Sequence, residues 1–184
     1  LLGVDADYVY FSTPTQLSAL DNESGVLRWQ SSPQDADYFL VQSTPPRPVA
    51  VSKEWIVGYS PTTGEAAWTT QITDSSHANA VADSILVETL AGLVRIDAEN
   101  GASIWTAVLP PVNALGYPVN RWLRFGGLEN DRFIAVAEVE APATQPAPLV
   151  QLIDFSTGQP IEQLAVANTT QGVLEEKVLA AGQI

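Results

Sequence analysis

A glycine-closed turn followed by a tryptophan returns along this chain at near-regular intervals, and that recurrence limits the available folds more than any other feature. The copies read ALDNESGVLRW (19–29), GYSPTTGEAAW (58–68), RIDAENGASIW (95–105) and LIDFSTGQPIE (152–162). Their glycines, Gly25, Gly64, Gly101 and Gly158, follow one another at steps of 39, 37 and 57 residues. A fixed period of this size marks a chain assembled from stacked supersecondary units, none of which buries its apolar face alone.

Each part of the copy has a physical task. The acidic residue at its third position, Asp21, Asp97 or Asp154, can accept backbone N–H groups two or three residues on and so close a turn. Glycine four residues later supplies the positive φ that ends a tight hairpin. The flanks alternate and are rich in Val, Ile, Leu, Tyr and Trp, which is strand chemistry. Trp29, Trp68 and Trp105 then occupy one fixed position on the second strand, where an indole can cover the seam to a neighbouring sheet.

Between the copies lie further short alternating runs, among them YVYFST, YFLVQS, WIVGYS, SILVET and RFIAVAEVE. Four short strands per unit at a period near 40 predict an all-β chain of four-stranded antiparallel propeller blades. We place blade 1 at about 1–32, blade 2 at about 36–73, blade 3 at about 77–109 and blade 4 at about 120–168. KVLAAGQI (177–184) matches LLGVDADYVY at the start in phase, so a fifth blade is expected to begin at about 172–184. The reading is of a single partial propeller, 1–184, belonging to a ring of seven or eight blades. Helical periodicity is weak; QGVLEEKVLAA also suits a strand.

Composition removes several function classes. The 184 residues hold 46% hydrophobic and 16% charged residues, enough for a packed core and unlike a disordered tail. Acidic residues number 21 against 8 basic ones, a net charge of −13. Nucleic-acid binding needs a basic footprint, which scattered cations do not make, and an anionic membrane surface is set aside for the same reason. No cysteine is present, so disulfides, thiolate metal sites and cysteine nucleophiles are excluded. No apolar run reaches the roughly 18 residues of a membrane helix.

The first copy, with Ala19, Asp21, Ser24, Gly25 and Trp29 in the pattern A-x-D-x-x-S-G-x-x-x-W, resembles the tryptophan-docking motif of pyrroloquinoline-quinone-like β-propeller repeats. The likeness extends over nearly the whole chain. It implies that the three tryptophans dock between adjacent blades and that the motif residues are structural. Gly58 and Ser60 in the second copy, Arg95 in the third and Glu162 in the fourth depart from the pattern, so the fourth seam is expected to be the loosest. The family includes quinoprotein alcohol dehydrogenases, the outer-membrane assembly lipoprotein BamB, and extracytoplasmic sensor or adhesion modules. The dehydrogenases resemble eight-bladed rings holding quinone and calcium, with an adjacent-cysteine disulfide that this chain cannot form. Similarity to BamB and its relatives implies instead a non-catalytic scaffold without cofactor. Its partners would be proteins or the remaining blades of a larger complex outside the cytoplasm. The alternatives are a fragment of a quinone-dependent dehydrogenase and the sensor portion of a transmembrane kinase.

Other candidate chemistry is weaker. His77, the only histidine, lies beside Asp74, Ser75 and Ser76, but triads are assembled from positions distant in sequence. Asp5-Ala6-Asp7 and Asp35-Ala36-Asp37 place alternate aspartates as a calcium loop does, yet lack its glycine and distal glutamate and fall at different phases of the repeat. Asn22-Glu23-Ser24 and Asn168-Thr169-Thr170 fit the glycosylation pattern, about the number chance supplies. More informative is the lengthened third step, which comes from PPVNALGYPVN (110–120) and APATQPAP (141–148). In an up-and-down sheet, the link into a blade and its second hairpin leave at one end. Pro110, Tyr117, Trp122, Pro142, Pro146 and His77 are therefore the candidate residues of a partner-binding rim, stiff and partly apolar.

Overall fold

The computed structural model describes residues 1–33, 35–43, 46–113, 115–140 and 149–164, with backbone alone for residues 42, 43, 121–129 and 164. Every regular element among them is a strand. The first sheet runs β1 (Gly3–Val4), β2 (Tyr8–Ser12), β3 (Leu17–Asp21) and β4 (Leu27–Ser31). The second runs β5 (Tyr38–Ser43), β6 (Pro46–Val51), β7 (Trp55–Tyr59) and β8 (Ala66–Gln71). The third comprises β9 (His77–Val81), β10 (Ser84–Thr89), β11 (Gly92–Asp97) and β12 (Ser103–Ala107). The fourth comprises β13 (Val119–Glu129), β14 (Arg132–Val139), β15 (Leu149–Asp154) and β16 (Pro160–Leu164). In each sheet the strands lie in chain order and neighbours pair antiparallel, the meander arrangement.

The repeat extends to register. Ala19 faces Trp29, Gly58 faces Trp68 and Leu152 faces Glu162. In these three sheets a bulge follows at the same place, between Ala19 and Leu20, Gly58 and Tyr59, and Leu152 and Ile153. A bulge adds local twist and re-aims a side chain, which here sets the motif position against the next sheet. The departure at Gly58 has a steric reason: a Cβ there would lie 2.2 Å from Cε2 of Trp68. Arg95, at the equivalent place in β11, is buried and donates to Ser84 Oγ at 2.7 Å and to Asp83 at 2.8 Å.

The chain divides into two compact units, Leu1–Leu90 with Val94–Ile104, and Ala91–Leu93 with the segment from Trp105 onward. In the first unit, Tyr10, Leu17, Ala19 and Trp29 pack against Phe39, Ala50, Val57 and Tyr59 of the second sheet. On the other side of that sheet, Val49, Val51, Ile56 and Trp68 meet Ala78, Ile85, Val87 and Ile96. The second sheet is thus apolar on both faces, which is why its strands read as nearly continuous hydrophobic runs. In the second unit the Trp105 ring stacks on Phe133 at 6.0 Å, and Phe133 meets Phe155 edge-on at 6.1 Å. No helix among the described residues is long and apolar enough to cross a membrane.

Candidate functional site

Two features organise the surface: the four motif turns, and the lengthened loop that enters the fourth sheet. Gly25, Gly64, Gly101 and Gly158 have φ of 69°, 70°, 75° and 70°, and the amide of each donates to the carbonyl four residues back. The side chain at that earlier position caps the turn. Asp21 Oδ1 accepts the Ser24 amide at 2.8 Å, Ser60 Oγ the Thr63 amide at 3.2 Å, Asp97 Oδ1 the Asn100 amide at 3.3 Å, and Asp154 Oδ1 the Thr157 amide at 2.9 Å. A serine hydroxyl performs the same bond as a carboxylate, so the Ser60 substitution preserves the turn. Hydrogen bonds from Ser24 and then Arg28 hold the Asp21 carboxyl far below the usual range; those of Ser156 and Thr157 depress Asp154.

Each indole is clasped at two points. Trp29 Nε1 donates to the Pro61 carbonyl at 2.6 Å, Trp68 to Ala98 at 3.1 Å and Trp105 to Phe155 at 2.8 Å. The ring face lies over the turn glycine beyond: a Cβ on Gly64, Gly101 or Gly158 would come within 2.5, 2.6 and 2.6 Å of the respective indole. Two residues after the tryptophan, Ser31 and Thr70 donate their hydroxyls to the carbonyls of Gly64 and Gly101. Ala107 stands at this position after Trp105 and has no hydroxyl to give. These accepting carbonyls belong to backbone and leave no mark in the sequence.

The lengthened loop is built on a residue that sequence reasoning missed. Asn113 is buried, and its Oδ1 accepts the amides of Leu115 and Tyr117, each at 3.0 Å. Its backbone closes the same loop, with Asn113 N donating to Tyr117 O and Gly116 N to Asn113 O, both at 2.9 Å. Val112 bridges Pro118, and the Glu140 amide donates to the Pro118 carbonyl at 2.9 Å, tying the end of β14 to this loop. The result presents apolar side chains to solvent: Leu115 is 64% exposed and Val112 47%. Pro110 and Tyr117 are half-buried within it. A lone asparagine amid prolines carries no periodic signal; only its burial reveals the role.

The remaining candidate residues are placed as follows. Trp122 is a strand residue, paired with Ala137 in β13 and β14, and not part of a loop, because β13 runs to eleven residues. His77 likewise opens β9 instead of lying in the preceding link; it is exposed and its ring stacks on Tyr38 at 6.3 Å. Pro142 and Pro146 lie outside the described residues, as do residues 172–184 and Asn168-Thr169-Thr170. The carboxylate of Asp5 serves its own turn, accepting the amides of Asp7 and Tyr8 at 2.8 and 2.6 Å and the Tyr10 hydroxyl at 2.6 Å. Among the described residues no three His, Cys, Asp or Glu side chains converge as metal ligands would.

No known family model matches the sequence, and no curated protein matches it. Solved structures do. BamB from Moraxella catarrhalis superposes with a TM-score of 0.58 at 15% identity, over 91% of this chain and 53% of that one. A europium-containing methanol dehydrogenase superposes with a TM-score of 0.56 at 14% identity, over 85% of this chain and 39% of that one. The chain therefore spans about half the length of the first and less than half of the second. Its four-stranded antiparallel sheets correspond to propeller blades, and the fold is that of a partial β-propeller.

Proposed function

We propose that this chain is a non-catalytic β-propeller scaffold that holds a protein partner within an assembly outside the cytoplasm. The observation that carries this reading is the loop around Asn113, which is internally hydrogen-bonded yet presents Val112 and Leu115 outward. A loop ordered by its own bonds loses little entropy on docking, and exposed aliphatic side chains on a stiff support are what a protein interface uses. The surplus of acidic residues, 21 against 8, fits a partner with a basic rim around an apolar contact. BamB supplies the fold-level analogy for a propeller that works without chemistry of its own.

The test compares the complete natural polypeptide with its Leu115→Asp and Val112→Asp variants. A partner retained by the parent protein should be lost by both variants while the circular-dichroism spectrum stays unchanged. Titration of the parent with pyrroloquinoline quinone and calcium provides the opposing outcome. Stoichiometric binding with dye reduction would overturn the scaffold reading in favour of a dehydrogenase.

A further inference from the structure

Of the asparagines in the sequence, Asn100 alone is followed by glycine, and Ser24, Thr63 and Thr157 stand at its place in the other motif turns. All four side chains do the same work, each accepting the amide two residues on. Ser24 Oγ accepts the Val26 amide at 3.4 Å, Thr63 Oγ1 that of Glu65 at 3.3 Å, Asn100 Oδ1 that of Ala102 at 2.8 Å and Thr157 Oγ1 that of Gln159 at 3.3 Å. A hydroxyl in this place is chemically inert. An asparagine amide is not: its Cγ is an electrophile, and the nitrogen of a following glycine, with no Cβ to hinder it, is the best placed nucleophile to attack it.

Self-attack requires Gly101 N to lose its proton and to reach Asn100 Cγ, and the folded turn opposes both. The Gly101 amide donates to the Asp97 carbonyl at 2.9 Å. The Asn100 side chain is held at both ends, since its Nδ2 donates to Asp97 Oδ2 at 3.1 Å while its Oδ1 keeps the Ala102 amide. Gly101 is buried, with Cε3 of Trp68 2.6 Å from where a Cβ would stand, and the Thr70 hydroxyl donates to its carbonyl. Trp68 and Thr70 belong to β8, so the lock lasts only while the second sheet clasps the third. Asn100 itself is exposed, and water is therefore at hand.

We propose that Asn100-Gly101 is a self-modification site gated by the contact of Trp68 and Thr70 with the third turn: inert while that contact is closed, deamidating when it opens. Gly101 N bonds to Asn100 Cγ and displaces Nδ2, which leaves as ammonia with the proton from the Gly101 amide. Water then opens the resulting succinimide. Opening at the side-chain carbonyl gives aspartate; opening at the main-chain carbonyl gives isoaspartate. Either product sets a new negative charge beside Asp97 and Glu99, and the second also lengthens the backbone of the turn by one atom. A turn so altered no longer seats Gly101 beneath the ring, so chemistry makes a transient opening permanent. The proposal does not depend on the loop around Asn113 or on the scaffold reading.

The experiment incubates the chain at mildly alkaline pH, folded and in guanidinium chloride, and follows the peptide containing Asn100 by mass spectrometry, with enzymatic methylation to count isoaspartate. The unfolded chain is expected to deamidate there at least about tenfold faster than the folded parent. Trp68→Ala should raise the folded rate severalfold, while Trp29→Ala, whose ring covers Gly64 instead, should leave it near that of the parent. The melting temperature of the parent should fall as product accumulates. That of Asn100→Thr, which carries the residue of the second and fourth copies, should not. If Trp68→Ala fails to fold, the parent in denaturant below its transition replaces it, and deamidation should rise there before global unfolding begins. Equal rates in the folded and unfolded chains, or a folded rate that rises only with global unfolding, would overturn the gate. An aged parent that melts like the fresh one would overturn the permanent opening.

Discussion

Glycine at the motif turn serves two separate demands, and the four copies separate them. At every copy the left-handed backbone disfavours a side chain; replacing glycine there costs about 1–2 kcal/mol on conformation alone. At Gly64, Gly101 and Gly158 an indole also occupies the space a Cβ would need, at 2.5–2.6 Å, while at Gly25 that space is open. Forcing extra volume into a packed contact adds about 1–3 kcal/mol, more if the indole is expelled. Gly64→Ala is therefore expected to destabilise the chain at least about twice as much as Gly25→Ala, measured by urea unfolding in parallel. Equal losses at the two sites would mean that the turn conformation alone accounts for the residue.

At the scale of elements, stability resides in the seams between sheets, since a single meander of four short strands has two apolar faces to cover. Trp68 joins the second sheet to the Ala98 carbonyl and the Gly101 turn. Trp68→Phe keeps most of the ring but leaves the Ala98 carbonyl without its donor, a loss of about 1–3 kcal/mol; Trp68→Ala removes the ring too and should cost about 3–5 kcal/mol. Urea titrations followed by fluorescence of the remaining tryptophans measure both. A Phe variant as stable as the parent would show that the N–H bond contributes nothing. This is also the scale at which sequence and structure agree most closely. The turns were legible because left-handed φ demands glycine and because Asp and Ser announce a cap, and the strands because Val, Ile and aromatic residues alternate around them. The acceptors of the indole bonds were not legible, being backbone carbonyls of Pro61, Ala98 and Phe155, which any residue could supply. Nor was Asn113, whose importance comes from burial in a loop rather than from spacing. Trp122 and His77, candidates for the partner-binding rim by their nearness to the loops, are carried into strands by backbone pairing, which sequence alone does not locate to the residue.

For the molecule as a whole, the net charge of −13 and the shifted side chains act in opposite directions as pH falls. Protonating ordinary surface carboxylates relieves self-repulsion and favours the compact state. Asp21, Asp83 and Asp154, by contrast, are held below their ordinary values by hydrogen bonds that exist only in the folded chain. For such groups the unfolded chain takes up protons first, so their contribution is complete above an unfolded value near 3.9 and disappears as pH falls through the folded values. Tyrosines define the other limit. Burial raises Tyr10 and Tyr59 and pushes Tyr38 up to about 12, so their contribution is complete below about pH 10 and declines above it as the unfolded chain ionises first. The melting temperature is thus expected to change little, or rise slightly, from pH 7 to about pH 5, then to fall below about pH 4 and again above about pH 10. Salt distinguishes the two acidic effects. At 0.5 M sodium chloride the gain towards pH 5 should shrink, because repulsion between exposed charges is screened, while the loss below pH 4 persists because short hydrogen bonds to backbone amides are not. Asp154→Asn tests the assignment directly: the variant should be less stable at pH 7 and lose less on acidification. A variant whose melting curve tracks the parent throughout would show that the turn carboxylates do not set the acid limit.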